Sequence, residues 1–376
     1  MSFSGGLYIH IPFCRQACHY CNFHFTTSLH YKSRLVEAIN REIRIRAAHF
    51  EKPELKTIYF GGGSPSLLSI SELNTIMESI HRVFNTSGVV EITLEANPDD
   101  LTPEYIRLLK TIGIDRLSIG IQSFYEEDLM WMHRAHNNIQ AMNCIPMAQD
   151  IGLEDISVDL IFGFPLLTDE KYMENLKKLT DWNIPHISAY SLTVEDKTPL
   201  AKSIRKGIDS RPDEGQSARQ FVLTHHILEG KGYEHYEISN FSLPGWHAIH
   251  NSNYWLGVPY IGVGPAAHSF YEDRRYWNIA NNQKYMHLIE SGQETGEYEI
   301  INPDTAYNEL ILTRLRTKWG VDRADILRIG TKYADHFDSI IGVLIDNGIV
   351  EVNANNYKLT FEGQMMADHW TEELFI

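Results

Sequence analysis

The chain has 376 residues, 43% hydrophobic and 22% charged, with a formal charge of −16 from 49 acidic and 33 basic side chains. That length accommodates one large α/β core and a smaller module, and the acidic balance argues against nucleic acid as a main partner. MSFSGG lacks the basic and apolar parts of a secretory leader, and no apolar run approaches the ~20 residues that span a bilayer, so a cytoplasmic protein without a transmembrane segment is expected.

Short apolar runs alternate with helical patterns through the first half, as in parallel βα units. Strands are predicted at Leu7–Ile11, Thr57–Phe60, Glu91–Glu95, Arg116–Ile121, Asp155–Phe162 and His186–Ser191. A helix begins around Tyr31, and a second has Ser69 as N-cap with Glu72 three residues on, a capping box. A third starts at Thr102 with Pro103 in its first turn and stops near Gly113; a fourth follows Thr168. After Gly207 the βα pattern stops: a helix over Glu214–Leu228 precedes an aromatic, His- and Gly-rich section that reads as an extension flanking an open barrel side. From about Pro303 helices return, ending in GIVEVNANNYKLTFEG, where NANN suits a turn between two short strands. Helices followed by such a wing suggest a winged-helix-like module. Residues 301–376 carry seven Lys/Arg against twelve Asp/Glu, which favours a packing or protein-contact role over DNA binding. The expected units are 1–210, 211–300 and 301–376.

Directly after the first strand, Cys14, Cys18 and Cys21 form a C-x3-C-x2-C cluster. Three thiolates on one loop leave one iron of a [4Fe–4S] cube without a protein ligand, and an open iron can bind a substrate or cofactor. A closed zinc site would need a fourth ligand borrowed from His10, His19 or His24, because Cys144 lies far downstream. A disulfide framework leaves an odd thiol. The cluster reading is preferred.

Ligands of parallel βα barrels collect at the C-terminal strand ends, and polar residues fall there. Gly61-Gly62-Gly63-Ser64-Pro65 follows the second strand and leaves the backbone free to approach a ligand. Glu95 ends the third strand, Gln122 the fourth, and Asp159 lies in the fifth; each requires a partner if buried. Arg134 is near in sequence, and Tyr20 inside the cysteine loop can stack on an adenine or shield a cluster.

The stretches YIHIPFC, FGGGSPS, LEANP, IGIQSF and VDLIFG, with the cysteine triplet, resemble the oxygen-independent coproporphyrinogen III oxidase (HemN)-like branch of the radical S-adenosylmethionine (SAM) superfamily, and within it the heme chaperones. The resemblance covers nearly the whole chain. It implies an α/β fold, an open (β/α)6 partial barrel with a small C-terminal helical, winged-helix-like domain. It also implies a [4Fe–4S] cluster on the three cysteines, and SAM held by Tyr8, Gly62, Gly63, Ser64, Glu95, Gln122, Arg134 and Asp159. Ser191 and His268 are weaker carry-overs. Ser64 replaces the more usual threonine of GGGTP and keeps a hydroxyl.

Two departures separate the chain from the oxidases: the position of their fourth motif cysteine holds Phe23, and only thirteen residues precede Cys14. One feature joins it to the heme carriers. His250-Asn251-Ser252-Asn253-Tyr254-Trp255 matches their HNxxYW motif, implying heme near His250, with His247 as competing ligand. The expected function is binding of heme or another tetrapyrrole and delivery to recipient hemoproteins, with a reductant for the cluster. Oxygen-independent coproporphyrinogen III oxidation and a SAM-binding scaffold without heme or turnover stay open as alternatives, as does whether SAM is cleaved.

Overall fold

The computed structural model describes residues 2–376. Strands β1 (Ser4–Ile11), β2 (Glu54–Gly62), β3 (Glu91–Ala96), β4 (Arg116–Gln122), β5 (Asp155–Phe162) and β6 (His186–Ser191) lie side by side in chain order, all parallel. Their near-continuous apolar runs follow from burial on both faces. The connecting helices seat apolar stripes on the sheet; Leu35, Ile39 and Ile43 of helix Lys32–Ala47 are fully buried. Helix starts fall where short polar side chains can satisfy free backbone N–H groups. Ser69 and Glu72 form the reciprocal capping box, and Thr102 and Thr168 accept from the N–H of Tyr105 and Lys171.

The chain after residue 207 does more than flank an open side. It supplies β7 (Glu234–Glu237), β8 (Asn240–Ser242), β9 (Tyr260–Val263), β10 (His268–Tyr271), β11 (Arg274–Asn278) and β12 (Gly296–Ile300). These extend both edges into one mixed sheet of order β12-β11-β10-β9-β1-β2-β3-β4-β5-β6-β8-β7, which stays open. Strand β9 runs parallel to β1, with Leu7 opposite Ile261, so the first strand is interior. Strands of three to five residues carry too little alternation to be seen as periodicity.

The HNSNYW stretch forms a short helix, Ile249–Trp255, packed against β2. C-terminal helices Pro303–Leu315, Arg323–Ile329 and Thr331–Asp346 close over a small sheet in which β15 (Asn356–Leu359) lies between β13 (Val321–Asp322) and β14 (Val350–Asn353). Their shared core, with Tyr307, Phe337 and Leu359, is separate from the core of the large sheet. Arg316 joins the two, pairing at 3.1 Å with the buried Glu237 of β7.

Candidate functional site

Strand β1 ends at Ile11, and the chain turns into a loop whose root is tied on both sides. The Cys14 N–H donates to the Thr26 carbonyl at 3.0 Å, while Gly63 and Ser64 donate to the carbonyls of Ile11 and Phe13. The glycines serve this contact first: a Cβ on Gly63 would lie 2.6 Å from the Phe13 oxygen, and Gly62 has φ +107 with no room beside the His10 ring. Close approach of β2 to the cysteine loop is therefore an internal requirement of the fold, in addition to any approach to a ligand.

Cys14, Cys18 and Cys21 are free, half-buried, and line one cavity of about 420 Å³. Burial pushes the Cys14 thiol up to about 12, so a metal must compensate the thiolate it binds. The three sulfurs do not approach within 4.8 Å of one another as a set; among the described residues that distance is met only by His225, His226 and Glu229. A tetrahedral zinc would hold thiolates roughly 3.8 Å apart. A donor set of three thiols, with no fourth cysteine or histidine among the described residues of the cavity lining, fits a multi-iron cluster with one open iron.

The same cavity gathers Tyr20, Gly62, Gly63, Ser64 and Glu95 with Gln122, Arg134, Asp159 and Ser191. Glu95 is held on β3 by the Tyr59 hydroxyl (2.8 Å) and the Gly62 N–H (3.0 Å). Burial raises it to about 7 despite these donors, with the Asp159 charge adding to the effect. Burial likewise raises Asp159 to about 6. Arg134 spans the floor: its guanidinium donates to Cys18 Sγ (3.3 Å), the Tyr20 hydroxyl (3.3 Å), Asn97 Oδ1 (2.5 Å) and the Gly120 carbonyl (2.8 Å), and its Nε has no partner among the described residues. Gln122 has φ +67 at a register shift between β4 and β5, a strained backbone of the kind found at functional sites.

Tyr8, His268 and His250 are placed elsewhere. Tyr8, hydrogen-bonded to His10 Nδ1 (3.1 Å), and His268 line a second cleft of about 850 Å³ between the barrel and the C-terminal helices. Phe23, 70% exposed, borders both spaces. His250 is 2% exposed, and both ring nitrogens are engaged, Nδ1 with Thr57 Oγ1 and Nε2 with the Tyr254 hydroxyl, each at 2.8 Å. Burial lowers it to about 3. It therefore offers no free nitrogen to an iron, contrary to the expectation from its motif. His247 is engaged at Nε2 alone, by Glu234 (2.9 Å) and Lys318 (3.1 Å), and lines neither cavity.

Asn97 escaped the sequence reading although it joins Ser64 Oγ (2.5 Å) to Arg134. So did Arg15, which ties the cysteine loop to Asp99 and Asp100. The run NPDD, one residue beyond Glu95, is the available signal, since it reads as a turn at a ligand-facing strand end.

The radical SAM superfamily signature matches residues 8–179, the span that builds β1 to β5 and the cysteine loop. Across 99% of the chain, the backbone superimposes on coproporphyrinogen III oxidase (HemN) from Escherichia coli, a radical SAM enzyme, with TM-score 0.86, 21% identity and 90% of that chain covered. Fold and cysteine cavity together are those of a radical SAM protein. The chain is 32% identical to heme chaperone HemW of Bacillus subtilis over 96% of both chains, and 28% identical to that of Escherichia coli over 97% of both. It belongs to the HemW family. No helix among the described residues is long and apolar enough to cross a membrane.

Proposed function

We propose that this protein is a heme chaperone that carries a [4Fe–4S] cluster on Cys14, Cys18 and Cys21, binds SAM in the adjoining cavity, and delivers heme to recipient hemoproteins. The observation that carries the reading is the meeting of three free thiols, two carboxylates and two guanidinium groups around a single cavity in a chain of the HemW family. When bound, a cluster with one open iron supplies the coordination site for the amino and carboxylate groups of SAM and the electron for cleaving its C–S bond. The protein's own part is positioning. Glu95 and Asp159 offer acceptors to amino and ribose hydroxyl groups, Arg134 offers a cation beside Cys18, and Tyr20 covers the loop. Tyr8 supports this wall from behind, through His10.

Residues 1–210, 211–300 and 301–376 are proposed as barrel, extension and a winged-helix-like contact module. That last role is supported by the helices above a three-stranded sheet and by an excess of acidic residues. The free thiols suit the reducing cytoplasm, where a reductant for the cluster is at hand.

Anaerobic reconstitution tests the reading. About four irons per chain are expected, with the reduced-cluster spectrum changing on addition of SAM. Replacing all three cysteines by alanine should abolish the cluster, whereas Cys144→Ala, buried in helix Asn138–Asp150, should retain it. Hemin uptake without conversion of coproporphyrinogen III completes the expected pattern. Anaerobic formation of protoporphyrinogen IX would replace the carrier with the oxidase alternative, and a protein that binds SAM but no hemin would be the scaffold.

A further inference from the structure

The second cleft has the composition of a porphyrin site. At about 850 Å³ it lies within the range of small-molecule and cofactor pockets. Tyr254 and Trp255 of the short helix, with Tyr260 and Phe270, line its barrel side, and Leu310 and Ile329 face it from the C-terminal helices. Aromatic and aliphatic walls of this kind suit the faces of a flat macrocycle.

Three imidazoles reach the cleft, and they differ in what they can give. His10 is buried with both nitrogens held, by Tyr8 and the His24 carbonyl (3.0 Å). His24 is tethered through Nε2 to Asn282 Oδ1 at 2.7 Å. The ring of His268, at the start of β10, has no hydrogen bond among the described residues and is exposed at the cleft, so both its nitrogens are available. A cation waits on the opposite wall. Arg275 is already paired with Glu299 and Glu309, and Arg328 with Asp325. Arg314, half-buried, donates at 3.0 Å to the Leu256 carbonyl and has no carboxylate partner among the described residues. Asp325 is near enough to act on Arg314 but is paired with Arg328, so this partly desolvated guanidinium has donors left for an anion.

We propose that heme occupies this cleft, with the His268 imidazole ligating iron and the Arg314 guanidinium pairing with a propionate; this rests on the heme-carrier reading above. His250 is then a positioning residue. Bonded to Thr57 and Tyr254 from behind, it fixes the helix that presents Tyr254 and Trp255 to the macrocycle. The site stands apart from the three cysteines, with Phe23 bordering both.

The test is hemin titration of the full-length, cluster-loaded protein, followed by Soret absorbance and by electron paramagnetic resonance of the ferric spin state. His268→Ala should weaken binding about tenfold or more and change the spin state, and free imidazole should restore it. Arg314→Gln should weaken hemin about tenfold yet leave hemin dimethyl ester, whose propionates are blocked, unaffected. His250→Gln should keep the wild-type spectrum. A wild-type spectrum in His268→Ala would overturn the placement. So would its loss in His24→Ala or His250→Gln with thermal stability preserved. In those cases hemin binding by the wild type leaves the carrier reading standing; a wild type that takes up no hemin removes both.

Discussion

Glu95 and Asp159 are acids that the fold keeps from ionising easily, at about 7 and about 6, chiefly because they are enclosed. SAM brings a sulfonium and an amino group, and a cation beside them favours the ionised forms. SAM affinity should therefore rise as pH increases from about 5.5 to 8, with proton uptake by the buffer. Calorimetric titration in two buffers of different ionisation enthalpy reads both. The sign for the ligand-free protein is opposite. Stability from a raised carboxyl is fully present below its unfolded value and lost as pH climbs through the folded one. Glu95→Gln should thus stabilise the empty protein at pH 8 by on the order of 2–3 kcal/mol, and by nothing near pH 4, while weakening SAM. Parallel melting curves at both pH values would contradict this account. All of these residues were legible before the fold, because an acid or amide ending an apolar strand stands out. Asn97 and Arg15 were not, since one is a turn residue and the other a loop cation with no pattern around it.

Among elements, β2 meets the loop after β1 too closely to admit a Cβ. Gly63→Ala would push a methyl group into the Phe13 carbonyl, and backbone there cannot swing aside. A stability loss of ~1–3 kcal/mol is expected, with iron retention after reconstitution reduced further, because the displaced segment carries Cys14. Equal iron content in this variant would sink the coupling. Helix Lys32–Ala47 is fixed differently. Buried Glu42 accepts from the Gly264 N–H (2.8 Å), Asn278 Nδ2 (2.8 Å) and the Tyr285 hydroxyl (2.6 Å), and pairs with Arg46 at 3.1 Å. Glu42→Ala strands these donors and Arg46, and should cost ~3–5 kcal/mol in denaturant unfolding. The six parallel strands and the Ser69 capping box were readable because their signals are local. Strand β9 and the engagement of His250 were hidden. Thr57 and His250 lie 193 positions apart, and a contact at that separation leaves no period in the sequence.

At the scale of the whole molecule, two cores meet along a narrow seam. Arg316 makes one of three charge contacts there among the described residues, with Lys318–Glu234 and Arg275–Glu309; besides Glu237 it reaches Asp368 at 3.3 Å and lies 5.2 Å from the Trp255 ring. Glu237 also receives the Ser239 N–H and Asn240 Nδ2, so its charge is arranged for, and removing the cation leaves a buried carboxylate short of its counter-charge. Arg316→Leu should cost ~3 kcal/mol by calorimetry while iron content and SAM binding stay as in the wild type. Loss of the cluster in that variant would mean that the seam supports the cysteine cavity as well. The HNxxYW motif marks a helix, and that helix turns its aromatic residues, not its histidine, to the second cleft.

The place of β1 between β2 and β9 has a consequence during synthesis. Residue 260 leaves the ribosome about 250 positions after β1, an interval of roughly 12–50 s at about 5–20 residues per second. For all that time the strand leading into the cysteine loop has one bare edge, and Asn282, which tethers His24, is made later still. A chain halted before residue 260 exposes an edge of a strand that ends up interior as a template for foreign pairing, with three free thiols hanging from its end.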